Sequence, residues 1–258
     1  MKMRFLLMII FAFLLILSAC NGDEEAPADS GEETDEADGT DGTAEETSDE
    51  SEESPDADEE PAISADELID SAQEEWGETD SYELNQVYMI EGDEMSESIR
   101  TITTHSDQNE LKVEINRDDA TVTHYIVDDS YHIYSGHEME QQPEAPDIGG
   151  TTYGDLISQL DPYRSGEAAG TDEGYTLTVQ IEDMEDAENL LTDEMSGLLQ
   201  AAEDISGEIN LTFDEEYRYT GGEMTAVLVS GGEEIDLSSS MTIEDVNNIP
   251  VIEKPNGM

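Results

Sequence analysis

The chain has 258 residues and carries 68 acidic against eight basic side chains, a formal net charge of −60. An acidic excess of this size, with no basic stripe to neutralise phosphates, excludes nucleic-acid binding and disfavours close contact with anionic lipid headgroups. A single cysteine, Cys20, rules out an internal disulfide framework.

The N-terminus reads as an export signal. Lys2 and Arg4 precede thirteen uninterrupted apolar residues from Phe5 to Leu17. That run is too short to span a hydrocarbon core, which needs about 20 helical residues, but it has the length of a signal-peptide apolar region. Leu17-Ser18-Ala19-Cys20 resembles the lipobox of bacterial lipoproteins: an apolar residue, two slim ones that admit a peptidase, and a thiol able to take a diacylglyceryl group as a thioether. The resemblance implies cleavage after residue 19, lipidation of Cys20, and retention on the outer face of a membrane by acyl chains of the palmitate kind. Two such chains hold stably where one does not.

Residues 20–62 are expected to form an acidic tether. From Asn21 to Ala62 there are twenty Asp or Glu, no Lys or Arg, no aromatic residue and no bulky aliphatic one. Such a segment buries too little apolar surface to offset chain entropy. Asp35-Glu36-Ala37-Asp38 lacks the glycine placement and ligand spacing of a calcium loop, so a spacer is the reading and no metal is expected.

Residues 63–258 are long enough for one domain with a real core. They hold 48 acids against six basic residues, Arg100, Lys112, Arg117, Arg164, Arg218 and Lys254, a net of −42. Charge of that size coats a whole surface and points to adaptation to a saline exterior, where a screening length of about 3 Å at molar salt mutes self-repulsion.

The domain opens with a helix. Ser64 is a good N-cap, Glu67 completes a capping box and Ile63 with Leu68 forms a staple. Leu68, Ile69, Ala72 and Trp76 make an apolar stripe ended by Gly77. The period then changes to two: Tyr82, Leu84, Tyr88 and Ile90; a turn at 91–94; Ile99, Thr101 and Thr103; Leu111, Val113 and Ile115; Val122, His124 and Ile126; a turn at Asp128-Asp129-Ser130; Tyr131, Ile133 and Tyr134. Short alternating strands with hairpin-length turns predict an antiparallel meander. Residues 135–151 read as irregular, and Tyr153 to Leu160 as a short helix stopped before Pro162. Tyr175, Leu177, Val179 and Ile181 mark a strand. A long helix is expected across 185–203, with Leu190, Leu191, Met195, Leu198 and Leu199 on one face. Three strands follow: Ile209 to Phe213, Tyr217 and Tyr219 on to Val229, and Ile235 to Ile243. Gly149-Gly150-Thr151-Thr152 and Gly221-Gly222 read as turns, and Asn247-Asn248-Ile249-Pro250-Val251 closes the domain.

This layout of helix, meander with the Tyr125–Tyr134 hairpin, mid-chain helix, three long strands and Asn-x-x-Pro tail resembles the LolA/LppX-like lipoproteins, nearest to secreted lipoproteins of Bacillus relatives. The resemblance implies an α+β fold: a curved, incompletely closed antiparallel half-barrel of about nine strands wrapped around two or three helices. It also implies an apolar cavity able to hold a lipid or another amphiphile. No binding residue transfers, because the family's pattern is one of apolar strand positions.

Catalytic signals are few. His105, His124, His132 and His137 lack zincin spacing, although His124 and His132 stand on adjacent predicted strands and are able to approach one another. No nucleophile elbow, Ser-x-x-Lys motif or phosphate-cradling glycine loop occurs, so neither catalytic residues nor a cofactor are expected. The expected function is therefore non-enzymatic binding of an apolar or amphiphilic ligand. A sensor or protein-interaction domain with a filled core is the alternative, and a polysaccharide hydrolase using one of many carboxylate pairs the weaker one.

Overall fold

The computed structural model describes residues 63–93, 95–118, 120–136, 138–191 and 199–253. Cys20, the signal region, the acidic stretch, His137, Met195 and Leu198 lie outside these residues.

The first helix, α1 (Ala65–Trp76), forms as its capping box dictates. The Glu67 amide donates to the Ser64 hydroxyl at 3.2 Å, and the Ser64 amide donates back to the Glu67 carboxylate at 3.1 Å. Leu68, Ile69 and Ala72 are fully buried. Eleven strands follow in one antiparallel sheet: β1 (Tyr82–Gly92), β2 (Met95–His105), β3 (Leu111–Arg117), β4 (Ala120–Val127), β5 (Ser130–Ser135), β6 (Glu138–Gln141), β7 (Glu167–Thr171), β8 (Gly174–Ile181), β9 (Asp204–Phe213), β10 (Tyr219–Ser230) and β11 (Glu233–Glu244). Between β6 and β7 lie α2 (Tyr153–Ser158) and a 3₁₀ turn (Asp161–Ser165), and between β8 and β9 lies α3 (Met184–Leu190).

The spatial order is β6-β5-β4-β3-β2-β1-β11-β10-β9-β8-β7. The chain thus starts at the centre, walks to one edge through β6, crosses by way of α2 and the 3₁₀ turn to the other edge, and walks back until β11 pairs with β1. The sheet is open, with β6 and β7 as its edges. The α+β, unclosed antiparallel architecture is the one expected.

Two elements are additional to the nine strands of the sequence reading. β6 lies inside the stretch read as irregular, and β7 has the sequence Glu-Ala-Ala-Gly-Thr, whose small residues give no alternation of bulk. The single long helix expected across 185–203 is corrected to an interrupted one: α3 stops at Leu190 and Leu191 is extended with ψ 141°, while residues 192–198 lie outside the described residues. The Tyr163 hydroxyl donates to the Leu190 carbonyl at 2.9 Å, satisfying a group that a continuing helix would have used. Gly221-Gly222 is not a turn either. Both lie in β10 at an irregularity of its pairing with β9, where Gly221 has φ 135° and a Cβ would stand 2.1 Å from the Met241 carbonyl oxygen.

The main core fills the inner face of β8–β11 and the start of β1 against the helices. Tyr153 anchors it: its ring is fully buried and its hydroxyl donates to the Tyr219 carbonyl at 2.7 Å. α2 can seat closely because Gly154 has no side chain; a Cβ there would meet the Gly77 carbonyl oxygen at 2.1 Å. Two smaller clusters flank β3–β5. Leu111 and Ile126 pack with Ile148, and Tyr125 and Val127 pack with Ile252 of the C-terminal tail. That tail is laced down by Asn247 and Ile249 amides to Ser81 and by the Ile252 amide to the buried Glu110 carboxylate.

Candidate ligand-binding site

Strand register builds a hollow on the inner face. Cross-strand partners share a face, so β9, β10, β11 and β1 contribute two adjoining rungs. One runs Ile209–Met224–Ser239–Tyr88 and the next Leu211–Gly222–Met241–Gln86. Gly222 presents no side chain in the middle of the second rung. Above the rungs stand Tyr163 of the 3₁₀ turn and Leu190 and Leu191 at the end of α3, with Tyr219 beside them. The half-open space between them is about 110 Å³.

The wall is mainly apolar, and the two rungs carry in-phase polar side chains at Gln86 and Ser239 besides the Tyr88 phenol. Gln86 lies between Leu84 and Tyr88 on its strand face, and Ser239 between Leu237 and Met241. Their side chains approach each other, the Gln86 amide to the Ser239 hydroxyl at 3.5 Å. Both are part-buried, as is Tyr88. Neighbouring phenols are held in their neutral form: burial pushes Tyr163 and Tyr219 above the ordinary tyrosine range. Among the described residues the one charged member of the wall is Glu223, itself exposed.

Among the described residues no lysine or arginine lines the hollow. The two arginines next in sequence to wall residues are already committed. Arg164 spans Asp66, Asp70 and Asp161 at 3.1, 2.8 and 3.0 Å, tying α1 to the 3₁₀ turn. Arg218 pairs with Asp214 at 2.6 Å and lies 5.5 Å over the Trp76 ring.

The described histidines, His105, His124 and His132, do not assemble into a site. His124 and His132 are not brought together: His124 pairs with Ile133 and His132 with Tyr125, so the two rings leave opposite faces of the sheet. His124 accepts or donates at 2.7 Å to the Tyr131 hydroxyl and stacks on that ring, while His105 is buried against Tyr82. Burial lowers both imidazoles below the ordinary histidine value. Among the described residues no group of three or more His, Cys, Asp or Glu is placed to hold a metal ion, and no helix is long and apolar enough to cross a membrane.

No family model and no curated protein matches the sequence. Among solved structures the chain is similar to LprF from Mycobacterium bovis, with a TM-score of 0.40 and 9% identity over 75% of this chain and 97% of that one. It is also similar to a LolA superfamily protein from Nitrosomonas europaea, with a TM-score of 0.24 and 10% identity over 76% of this chain and 96% of that one. These likenesses are too distant to carry function, and they give the expected closeness to lipoproteins of Bacillus relatives no support.

Proposed function

We propose that this chain is an exported lipoprotein, anchored through lipid on Cys20 at the outer face of a membrane, whose sheet holds the apolar end of an amphiphile and catalyses nothing. One observation carries the binding reading: an apolar, methionine-walled hollow opens between the inner face of the sheet and the helices, with two uncharged polar groups set in phase within it. Methionine suits such a wall because its flexible thioether adapts to irregular guests. A hollow of about 110 Å³ approaches the benzene-sized cavity of roughly 150 Å³ known in other proteins, so it takes the tip of a chain or a ring rather than a whole lipid. The anchor reading rests on the Leu17–Cys20 motif.

A second reading draws on the same volume, which falls below the 300–1,000 Å³ or so of most ligand pockets: the core is essentially filled and the domain presents a surface to a protein partner. Native mass spectrometry of protein released from its own host's membrane by cleavage in the tether separates the two. The binding reading expects a small amphiphile retained on the wild-type domain and lost from Met224→Trp. A bare wild-type domain that also takes up no short alkyl probe would leave only the second reading. In the same cells Cys20→Ala abolishes labelling by an alkyne fatty acid, and undiminished label would defeat the anchor.

A further inference from the structure

The chemistry of the wall narrows the class of guest, given that the hollow binds an amphiphile as proposed above. We infer that the site selects an amphiphile with an uncharged, hydrogen-bonding head, of glycoside, glyceride or amide type, and rejects anionic ones such as fatty acids and alkyl sulfates.

Three observations converge on this. The polar groups set among the apolar rungs, Gln86, Ser239 and Tyr88, are all neutral, so they can exchange hydrogen bonds with hydroxyl or amide groups but cannot neutralise a charge. Leaving a charged head beside them without a counter-charge is costly in a part-buried setting. Second, among the described residues no cation lines the hollow, and those near it are already engaged. Arg164 and Arg218 are held by four carboxylates between them. Arg100 and Lys112 stand on the opposite face, bonded to Asn85 and paired with Glu114; Arg117 lies on the inner face, across Ile99 from Tyr88, and is paired with Glu97 at 2.6 Å. The sequence from Ser165 to Tyr217 contains no Lys or Arg at all. Third, the 63–258 segment carries a net −42, a field that repels an approaching anion over the screening length, about 10 Å at 0.1 M salt and 3 Å at 1 M.

The test uses three octyl amphiphiles that differ only in the head: glucoside, sulfate and trimethylammonium. Each displaces a neutral naphthylamine fluorophore from the chain beginning at Asn21, at 0.05 and 1 M NaCl. The inference expects the glucoside to bind with an affinity nearly independent of salt. The sulfate should be at least about tenfold weaker at 0.05 M and recover only in part at 1 M, where the field is screened but the wall still offers no cation. Gln86→Lys should strengthen the sulfate by about tenfold and weaken the glucoside, whose head loses one of its hydrogen-bonding partners, a reversal of preference that a misfolded variant cannot produce. Sulfate binding as tight as glucoside in the wild type at low salt overturns the inference while leaving the binding proposal standing. So does trimethylammonium binding that exceeds the glucoside at 1 M NaCl and disappears in Met224→Trp, since the site would then be a cation site. If none of the three displaces the probe, the binding proposal itself fails.

Discussion

Single side chains decide how this domain is held together, and tyrosine does much of it. Tyr153 links α2 to β10 by one buried hydrogen bond to the Tyr219 carbonyl, while its ring meets Trp76 edge-on and Tyr82 at a tilt. Tyr153→Phe keeps the ring and strands the carbonyl, at a cost of about 1–3 kcal/mol, measurable by urea denaturation; a loss within error would show that water reaches the carbonyl. Burial raises the Tyr82, Tyr153 and Tyr219 phenols well above their ordinary value of about 10. A group whose folded pKa is raised stabilises the fold fully below its unfolded pKa and loses that contribution as pH climbs toward the folded one. The domain is therefore expected to be stable to tyrosine ionisation up to about pH 10 and to unfold above it. Followed by phenolate absorbance, these rings should ionise only together with unfolding. Smooth titration of all ten tyrosines near pH 10 in a folded protein would contradict the packing.

Among the elements, α1 and the long strands were legible in the sequence because each announces itself locally. The Ser64–Glu67 box, the Leu68–Ile69–Ala72 stripe and the period-two runs are patterns of neighbours, and the structure reproduces them. What was illegible depends on distant partners. β7 exists because β8 offers it an edge, not because Glu-Ala-Ala-Gly-Thr favours a strand. The early end of α3 depends on a hydroxyl 27 residues away in sequence. The hollow itself left a faint trace: Gln86 and Ser239 are polar residues in phase with apolar ones, a mismatch that alternation alone exposes, but only the register shows that they meet. Gly222 and Tyr163 left none, since one acts by lacking a side chain and the other by lying over strands from another part of the chain. The helix stripe predicts that Leu68→Ala, at a site with no exposure, costs about 2–5 kcal/mol. A loss below about 0.5 kcal/mol in chemical denaturation would place the stripe outside the core.

At the scale of the whole molecule, charge and cavity set the behaviour. Six cations cannot offset by pairing the general repulsion among 48 carboxylates in 63–258, and Arg164 is spent on a local staple to α1. Thermal stability should therefore rise steeply between about 0.05 and 1 M NaCl as the screening length contracts to about 3 Å, measured as melting temperature with a chelator present. A flat sodium chloride series together with a saturating response to calcium would instead reveal specific ion sites. Function rests on the hollow between β9, β10, β11, β1 and the helices, and its occupancy has a local reporter in the two methionines on its floor. With methionine methyl groups labelled with carbon-13, titration with octyl glucoside should shift the Met224 and Met241 signals along a common saturating curve and leave exposed Met89 in place. Saturating probe that moves neither of the two floor methyls would contradict ligand binding in this hollow.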